Sequence, residues 1–344
     1  MIVLTENFNR ENLFPFTHTR HTADIFIGAM TIRKKWELLT GDVITTDDNE
    51  NSIFIPANII PTLENYIEIL EKSSEQAEIK SSNTIKIITY SWQLFQLNDY
   101  ALRQDFLLLT AKKESQPINK FITASNKENI FLEDGVDIYP CYLNAATGPI
   151  YISRNAVIME GSMIRGPFFL GEGSVVKMGS KIYGATSIGK NCTVGGEIKN
   201  SILFGNSNKA HDGYLGDSVI GEWCNLGAGT SNSNVKNTAT RVAYMMKDNT
   251  ALTYSGNKGG MLMGDYSRSA INTSFNTGVV VGVCCNIFGE NYYAKFIENF
   301  TWGNEKYIFE KALRDIENWM AFKKTFLSEE SKRKLLLLYE TIGV

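Results

Sequence analysis

Every sixth residue from position 152 is aliphatic: Ile152, Ile158, Ile164, Leu170, Val176, Ile182, Ile188 and Val194. Four residues further into each hexad stand Ala156, Ser162, Phe168, Ser174, Ser180, Thr186, Cys192 and Ile198, most of them small. An α-helix repeats near 3.6 residues and an amphipathic strand near 2. A period of six means instead that the chain turns a corner every six residues, and three such sides close one triangular coil. The large aliphatic points into the coil and stacks on its counterparts above and below, while the small residue fits near the corner. Gly171, Gly189, Gly195, Gly221 and Gly227 follow the aliphatic position, where backbone freedom would serve the turn. The hexad breaks between Lys199 and Gly216, which predicts a loop leaving the coil there. The phase returns at Ile220 and Leu226, and again at Phe275, Val281 and Ile287. A β-sandwich of alternating strands would not hold one register over so many hexads. A stack of this kind needs caps on its open ends.

The flanks lack the hexad. With 344 residues the chain has room for a second domain. The apolar runs Ile53–Ile55 and Ile85–Ile88 read as short buried strands. Thr31–Leu39 and Pro61–Lys72 read as helices, Pro61 suiting a first turn. Residues 1–125 are therefore expected to form a small α/β domain, 126–303 the solenoid, and 304–344 a helical segment. In that last segment Phe309, Leu313, Ile316, Met320 and Lys323 follow helical spacing, and Ser328 before Glu329 and Glu330 reads as an N-cap. The apolar stripe is expected to pack on the solenoid.

Net charge is −3, and no basic block interleaves with aromatics, so nucleic acid is not an expected partner. No apolar run approaches ~20 residues, so no membrane span is expected. The start of the chain does not read as a signal peptide. Cys141, Cys192, Cys224, Cys284 and Cys285 show no metal-ligand spacing and suggest reduced thiols in a cytoplasmic protein.

The segment Lys209-Ala210-His211-Asp212-Gly213-Tyr214-Leu215-Gly216-Asp217 leads to Asn225 and then Gly227-Ala228-Gly229-Thr230. These motifs resemble those of the bifunctional enzymes that make UDP-N-acetylglucosamine and of their archaeal sugar-1-phosphate nucleotidyltransferase/amino-sugar acetyltransferase relatives. The chain also resembles a group of sugar nucleotidyltransferases widespread in Bacteroidetes. With them it shares Leu13-Phe14-Pro15-Phe16-Thr17-His18-Thr19-Arg20, Ile32-Arg33-Lys34-Lys35-Trp36-Glu37 and Gly264-Asp265 followed by Ile271-Asn272-Thr273.

The resemblance implies a left-handed parallel β-helix, a homotrimer, and acyl transfer between neighbouring coils. It makes His211 the general base, a role that suits a group titrating near neutrality. Tyr214 and Asn225 would hydrogen-bond the sugar. Glu197-Ile198-Lys199 matches a Glu-x-Lys that offers Lys199 to a sugar phosphate. Gly227 and Ala228 would admit the coenzyme A arm, with a backbone N–H there to polarise the thioester. Asn234 would line the coenzyme cleft of a neighbouring chain. The chain departs from the pattern in two places. Ile182-Tyr183-Gly184-Ala185 lacks the arginine that the acetyltransferases carry for the phosphate. The N-terminal part lacks the glycine-rich nucleotide loop, leaving Arg20 as a remnant for nucleotide, and has Asn58 where a metal-binding aspartate is expected.

The expected protein is thus an acyltransferase that moves acetyl from acetyl-CoA to an amino-sugar phosphate or nucleotide-linked amino sugar. Its N-terminal domain would be a reduced, degenerate nucleotidyltransferase, needing Mg²⁺ only if active. The alternatives are a sugar-1-phosphate nucleotidyltransferase and a non-catalytic sugar-nucleotide-binding or scaffold protein.

Overall fold

A computed structural model describes residues 1–47, 52–246, 252–289 and 294–342. Its middle is a three-sided parallel solenoid of nine turns, counted on its longest all-parallel side. That side runs from Ile130–Leu132 to Phe296–Ile297 and is covered by the N-terminal domain; it is called the N-domain face here. A second, the helix face, runs from Asp137–Ile138 to Thr301–Trp302 and lies towards the C-terminal helices. The third, the open face, runs from Thr123–Ser125 to Tyr214–Gly216 and continues through Ser231–Asn232 and Ser274–Phe275. The eight predicted aliphatic positions from Ile152 to Val194 are all buried in one continuous core. Along the helix face a last strand, Glu305–Lys306, reverses and pairs antiparallel with Thr301–Trp302.

Two expectations about the coil need correction. First, the chain does not leave the stack between Lys199 and Gly216. Leu170 pairs with Ile188 eighteen residues on, but Ile188 pairs with Leu203 and Val194 with Lys209, only fifteen residues on. The turn is shortened, and winding continues through Tyr214–Gly216. The true excursion is a later hairpin, Val242–Met245 with Leu252–Gly256, inserted between Asn232 and Leu262. Its Tyr244 stacks on Trp92 of the N-terminal domain at 5.3 Å. Second, the glycines after the aliphatic position do not supply left-handed backbone. They remove a collision: a Cβ on Gly171 would lie 2.6 Å from the Gly189 carbonyl carbon, and one on Gly189 2.7 Å from the Gly205 nitrogen.

The N-terminal domain has a three-stranded parallel sheet with Ile2–Thr5 between Ile44–Thr45 and Ile53–Pro56. Helix α1 spans Ile32–Thr40, with the Thr31 hydroxyl capping the Lys34 N–H and Gly41 closing it in the left-handed region. Helix α2 spans Tyr66–Ser74, later than expected, because the Asn65 side chain accepts from the Thr62 N–H and holds the residues after Pro61 in a turn. Helix α3, Gln93–Thr110, was not anticipated. It lies between the domain and the solenoid. Its buried Asn98 donates to Ala185 O at 2.8 Å and accepts from Gly28 N and the Ser187 hydroxyl, so one amide rivets three segments. Leu102 and Phe106 of α3 pack against the outward ladder Phe131, Tyr151 and Phe169.

Helices α4 (Phe309–Phe322) and α5 (Glu329–Glu340) follow the predicted stripe, and the Ser328 hydroxyl caps the Ser331 N–H. Their seat is unusual. At one corner of the coil Asn155, Asn191 and Asn206 take positive φ, as asparagine readily does. Further up, Trp223, Tyr266 and Phe300 adopt the same backbone at φ 58°, 61° and 53°. Bulky side chains are strained there by about 1–2 kcal/mol each. The return is burial: all three rings join the cluster that holds Ile316, Met320 and Leu335 of the two helices.

Candidate active site

His211, Gly227 and Ala228 fall on one edge of the prism, where the helix face turns into the open face, and Glu197, Lys199 and Tyr214 lie on the open face beside it. Strand Asn208–Lys209 ends the helix face of one coil, and Ala210 to Gly213 make the turn. The turn is clamped from both sides. Below it, Gly195 N donates to Lys209 O at 2.7 Å and Glu197 N to Gly213 O at 3.2 Å. Above it, Gly229 N donates to Asp212 O at 3.0 Å and the Ser231 hydroxyl accepts from Tyr214 N at 3.0 Å. This packing fixes His211 immediately below the Gly227-Ala228-Gly229 turn. The His211 side chain is exposed, and no group among the described residues hydrogen-bonds to its ring.

In the turn above, Gly227 N donates to Ser269 O and is spent. Ala228 O accepts from Asn272 N at 2.7 Å, but the Ala228 N–H has no partner among the described residues. The edge therefore offers an unengaged imidazole and an unengaged backbone donor on successive coils.

On the open face the rungs align Lys181, Glu197 and Tyr214 in one column and Tyr183, Lys199 and Gly216 in the next. The Tyr183 hydroxyl donates to Glu197 at 2.6 Å, and the Lys199 ammonium lies 5.8 Å from the Tyr183 ring centre. The Glu197 bond, with burial, pushes the Tyr183 hydroxyl up to about 12. Burial, aided by Asp217, raises the Tyr214 hydroxyl too. Both phenols thus stay protonated near neutrality. The Asn234 amide donates to the Tyr214 hydroxyl at 3.0 Å and also to Asp217 of its own chain, so its N–H groups are committed internally.

Three expected residues lie apart from this group. Asn225 sits around the edge on the helix face, between Asn208 and Arg268 in register. Arg20 is on the N-terminal domain, where it donates to Asp265 at 2.6 Å, lies 3.6 Å from Glu222 and covers the Phe204 ring. It joins the domain to the solenoid. Asn58 is buried and donates to Ile88 O at 2.9 Å. No group of three His, Cys, Asp or Glu side chains suited to a metal occurs among the described residues, and Asn58 itself is a neutral amide turned to the backbone.

Sequence reasoning missed three residues at or beside the site. Tyr183 stands in the stretch that lacks the expected arginine, and its place one coil before Glu197 and Lys199 was a usable signal. Lys209 points into the coil at an aliphatic position, and its buried amine donates to His211 O. Burial pushes that amine down to about 8, with Asp212 opposing the shift. Arg268 gave no sequence signal.

A small parallel α/β domain docked on a three-sided hexapeptide solenoid, with an imidazole at one edge, defines the class of this protein as a two-part hexapeptide solenoid. Its relatives carry the names of bifunctional transferases. The chain is 30% identical to the bifunctional protein GlmU of Methanocaldococcus jannaschii over 275 residues, covering 77% of this chain and 64% of that protein. It is 33% identical over 236 residues to GlmU of Methanococcus maripaludis strain C5, covering 68% and 52%. It is 29% identical over 215 residues to the bifunctional sugar-1-phosphate nucleotidylyltransferase/acetyltransferase of Sulfurisphaera tokodaii, covering 59% and 47%. A family model described as sugar nucleotidyl transferase matches residues 2–48. The chain is a homologue of these bifunctional transferases and spans from about half to just under two thirds of the length of the relatives it matches.

Proposed function

We propose that the protein transfers an acyl group, acetyl from acetyl-CoA, to the amine of an amino-sugar phosphate or nucleotide-linked amino sugar. The observation that carries this reading is the pairing at the prism edge of a free His211 imidazole with the free Ala228 N–H one coil above. Attack of an amine on a thioester needs a base to take the amine proton and a donor for the oxyanion. His211 serves as the base and Ala228 N–H as the donor. Gly227 and Ala228 leave room for the coenzyme arm, and Lys199, Glu197 and Tyr214 supply polar contacts to the sugar. The reading includes a cytoplasmic homotrimer joined along the open face, with Asn234 near the boundary between copies.

The test is thiol release from acetyl-CoA in the presence of a panel of amino sugars and their phosphates. His211→Ala is expected to lower the rate by roughly 10²–10⁴-fold while leaving the melting temperature unchanged. No His211-dependent release with any acceptor sinks the proposal. A monomeric mass in sedimentation sinks its trimeric part.

The match over residues 2–48 favours a second reading, nucleotidyl transfer by the N-terminal domain. Against it stand the internal engagement of Arg20 and Asn58. Pyrophosphate release from a nucleoside triphosphate and a sugar-1-phosphate would decide for it.

A further inference from the structure

The outward column of the helix face reads Asn208, Asn225, Arg268 and Asn286 on successive rungs. Arg268 is buried beneath α4, with the Trp319 ring 5.4 Å from its guanidinium carbon. Its Nε and Nη2 are cut off from solvent and have no hydrogen-bond partner. No ion pair from Arg268 occurs among the described residues. Of the acids near it, Asp315 accepts the Tyr307 hydroxyl instead. Burial pulls the guanidinium below its usual range, against the opposing pull of Cys284, Tyr307, Cys224 and Asp315. A permanently charged group has thus been taken out of water without a counter-charge, which is unfavourable unless an anion arrives. Two rungs below, the Lys323 ammonium is spent on three acceptors, Asn191 O, Asn206 O at 2.9 Å and the Asn208 amide oxygen at 3.5 Å. Between that rung and Arg268 the Asn225 side chain is half-buried and has no partner among the described residues.

We propose that Arg268 and Asn225 form a phosphate-binding site on the helix face, with Trp319 as its movable cover. The site itself is independent of the acyl-transfer reading; the identity of its ligand rests on that reading. Asn225 precedes Ala228 by three residues, about 10 Å along an extended chain. A phosphate seated at Arg268 therefore leaves a ligand of ordinary length able to reach the His211 edge. Two sources carry such a group, the coenzyme and a sugar phosphate. Neutralising Arg268 would supply at this position the charge contact that Tyr183 cannot give on the open face.

The first measurement is melting temperature against inorganic phosphate, for the full chain and for Arg268→Met, which keeps the stem and removes the charge. Phosphate is expected to raise the melting temperature of the native chain and not that of the variant. In phosphate-free buffer the variant should melt no lower than the native chain. A variant that melts lower or fails to fold, or an equal phosphate shift in both proteins, makes Arg268 a packing group and overturns the site. The second measurement is tryptophan fluorescence during the same titration. A phosphate-dependent change is expected in the native chain and not in Trp319→Phe; its absence from the native chain overturns the site independently. Calorimetry with coenzyme A, 3′-dephospho-coenzyme A and glucosamine-1-phosphate then separates the sources. A tenfold or greater loss of affinity in Arg268→Met confined to the coenzymes, or to the sugar phosphate, assigns the ligand, and no loss for any of them overturns the proposal. Arg268-dependent binding without His211-dependent thiol release would leave the phosphate site standing and remove the acyl-transfer reading.

Discussion

Lys209 shows what a single residue can give up for a site. It occupies an inward position between Val194 and Leu226, which are aliphatic. Its amine falls from the usual 10.5 to about 8, chiefly through burial. Below pH 8 the folded and unfolded chains both carry the proton, and the cost of burying the charge is fully present. Between pH 8 and 10.5 only the unfolded chain binds it, so stability rises with pH across that window. Lys209→Met keeps the stem and loses one hydrogen bond. It is expected to stabilise the fold by roughly 2 kcal/mol at pH 7, with the gain fading toward pH 10.5. Urea unfolding at pH 7 and pH 10 checks this; a difference independent of pH refutes it. Against that cost stands the bond its amine makes to the carbonyl of His211. The motif around His211 was legible because its residues are contiguous. The partners of Asn58 and Arg20 were not, since Ile88 and Asp265 lie far along the chain and come together only by folding.

At the scale of elements, glycines in the coil have two separate jobs. Gly189 needs its missing Cβ, because backbone of the next coil occupies that space. Gly179 needs its positive φ of 69° and has open space around it. Gly189→Ala is therefore expected to cost about 1–3 kcal/mol through forced backbone shifts. Gly179→Asn should change stability by less than about 0.5 kcal/mol, since asparagine tolerates the left-handed region and Asn272 already adopts it in the same edge column. Thermal unfolding of the two variants checks the contrast, and equal losses contradict it. The hexad was legible because every coil from Ile152 to Val194 has the same length. It vanished where the coil shortened to fifteen residues and Lys209 replaced an aliphatic side chain. Helix α3 was hidden for a related reason. It is buried on two sides, and Asn98 and Asp105 sit among its buried positions, so no clean apolar stripe remains.

For the molecule as a whole, the N-terminal domain and the solenoid share one hydrophobic cluster that runs from Ile2 and Trp36 to Val219, Leu262 and Val280. Asp265 is the polar centre of that junction. It accepts from the Thr19 hydroxyl, from Arg20 at 2.6 Å and from Glu222 N at 2.8 Å. Asp265→Asn would leave the Arg20 guanidinium with Glu222, 3.6 Å away, as its remaining carboxylate. The expected loss is about 1–3 kcal/mol. Because the core is shared, native unfolding in denaturant is expected as one transition, and the variant should split it so that probes in the two parts report different midpoints. A single unshifted transition in the variant would remove Asp265 from that role. The reversed strand Glu305–Lys306 has a consequence for life in a crowded solution. A parallel stack is a template that a second stack could extend, rung upon rung, into a fibre. A final strand running the other way breaks the parallel template on this side, so a newcomer's first rung finds no matching polarity there to continue.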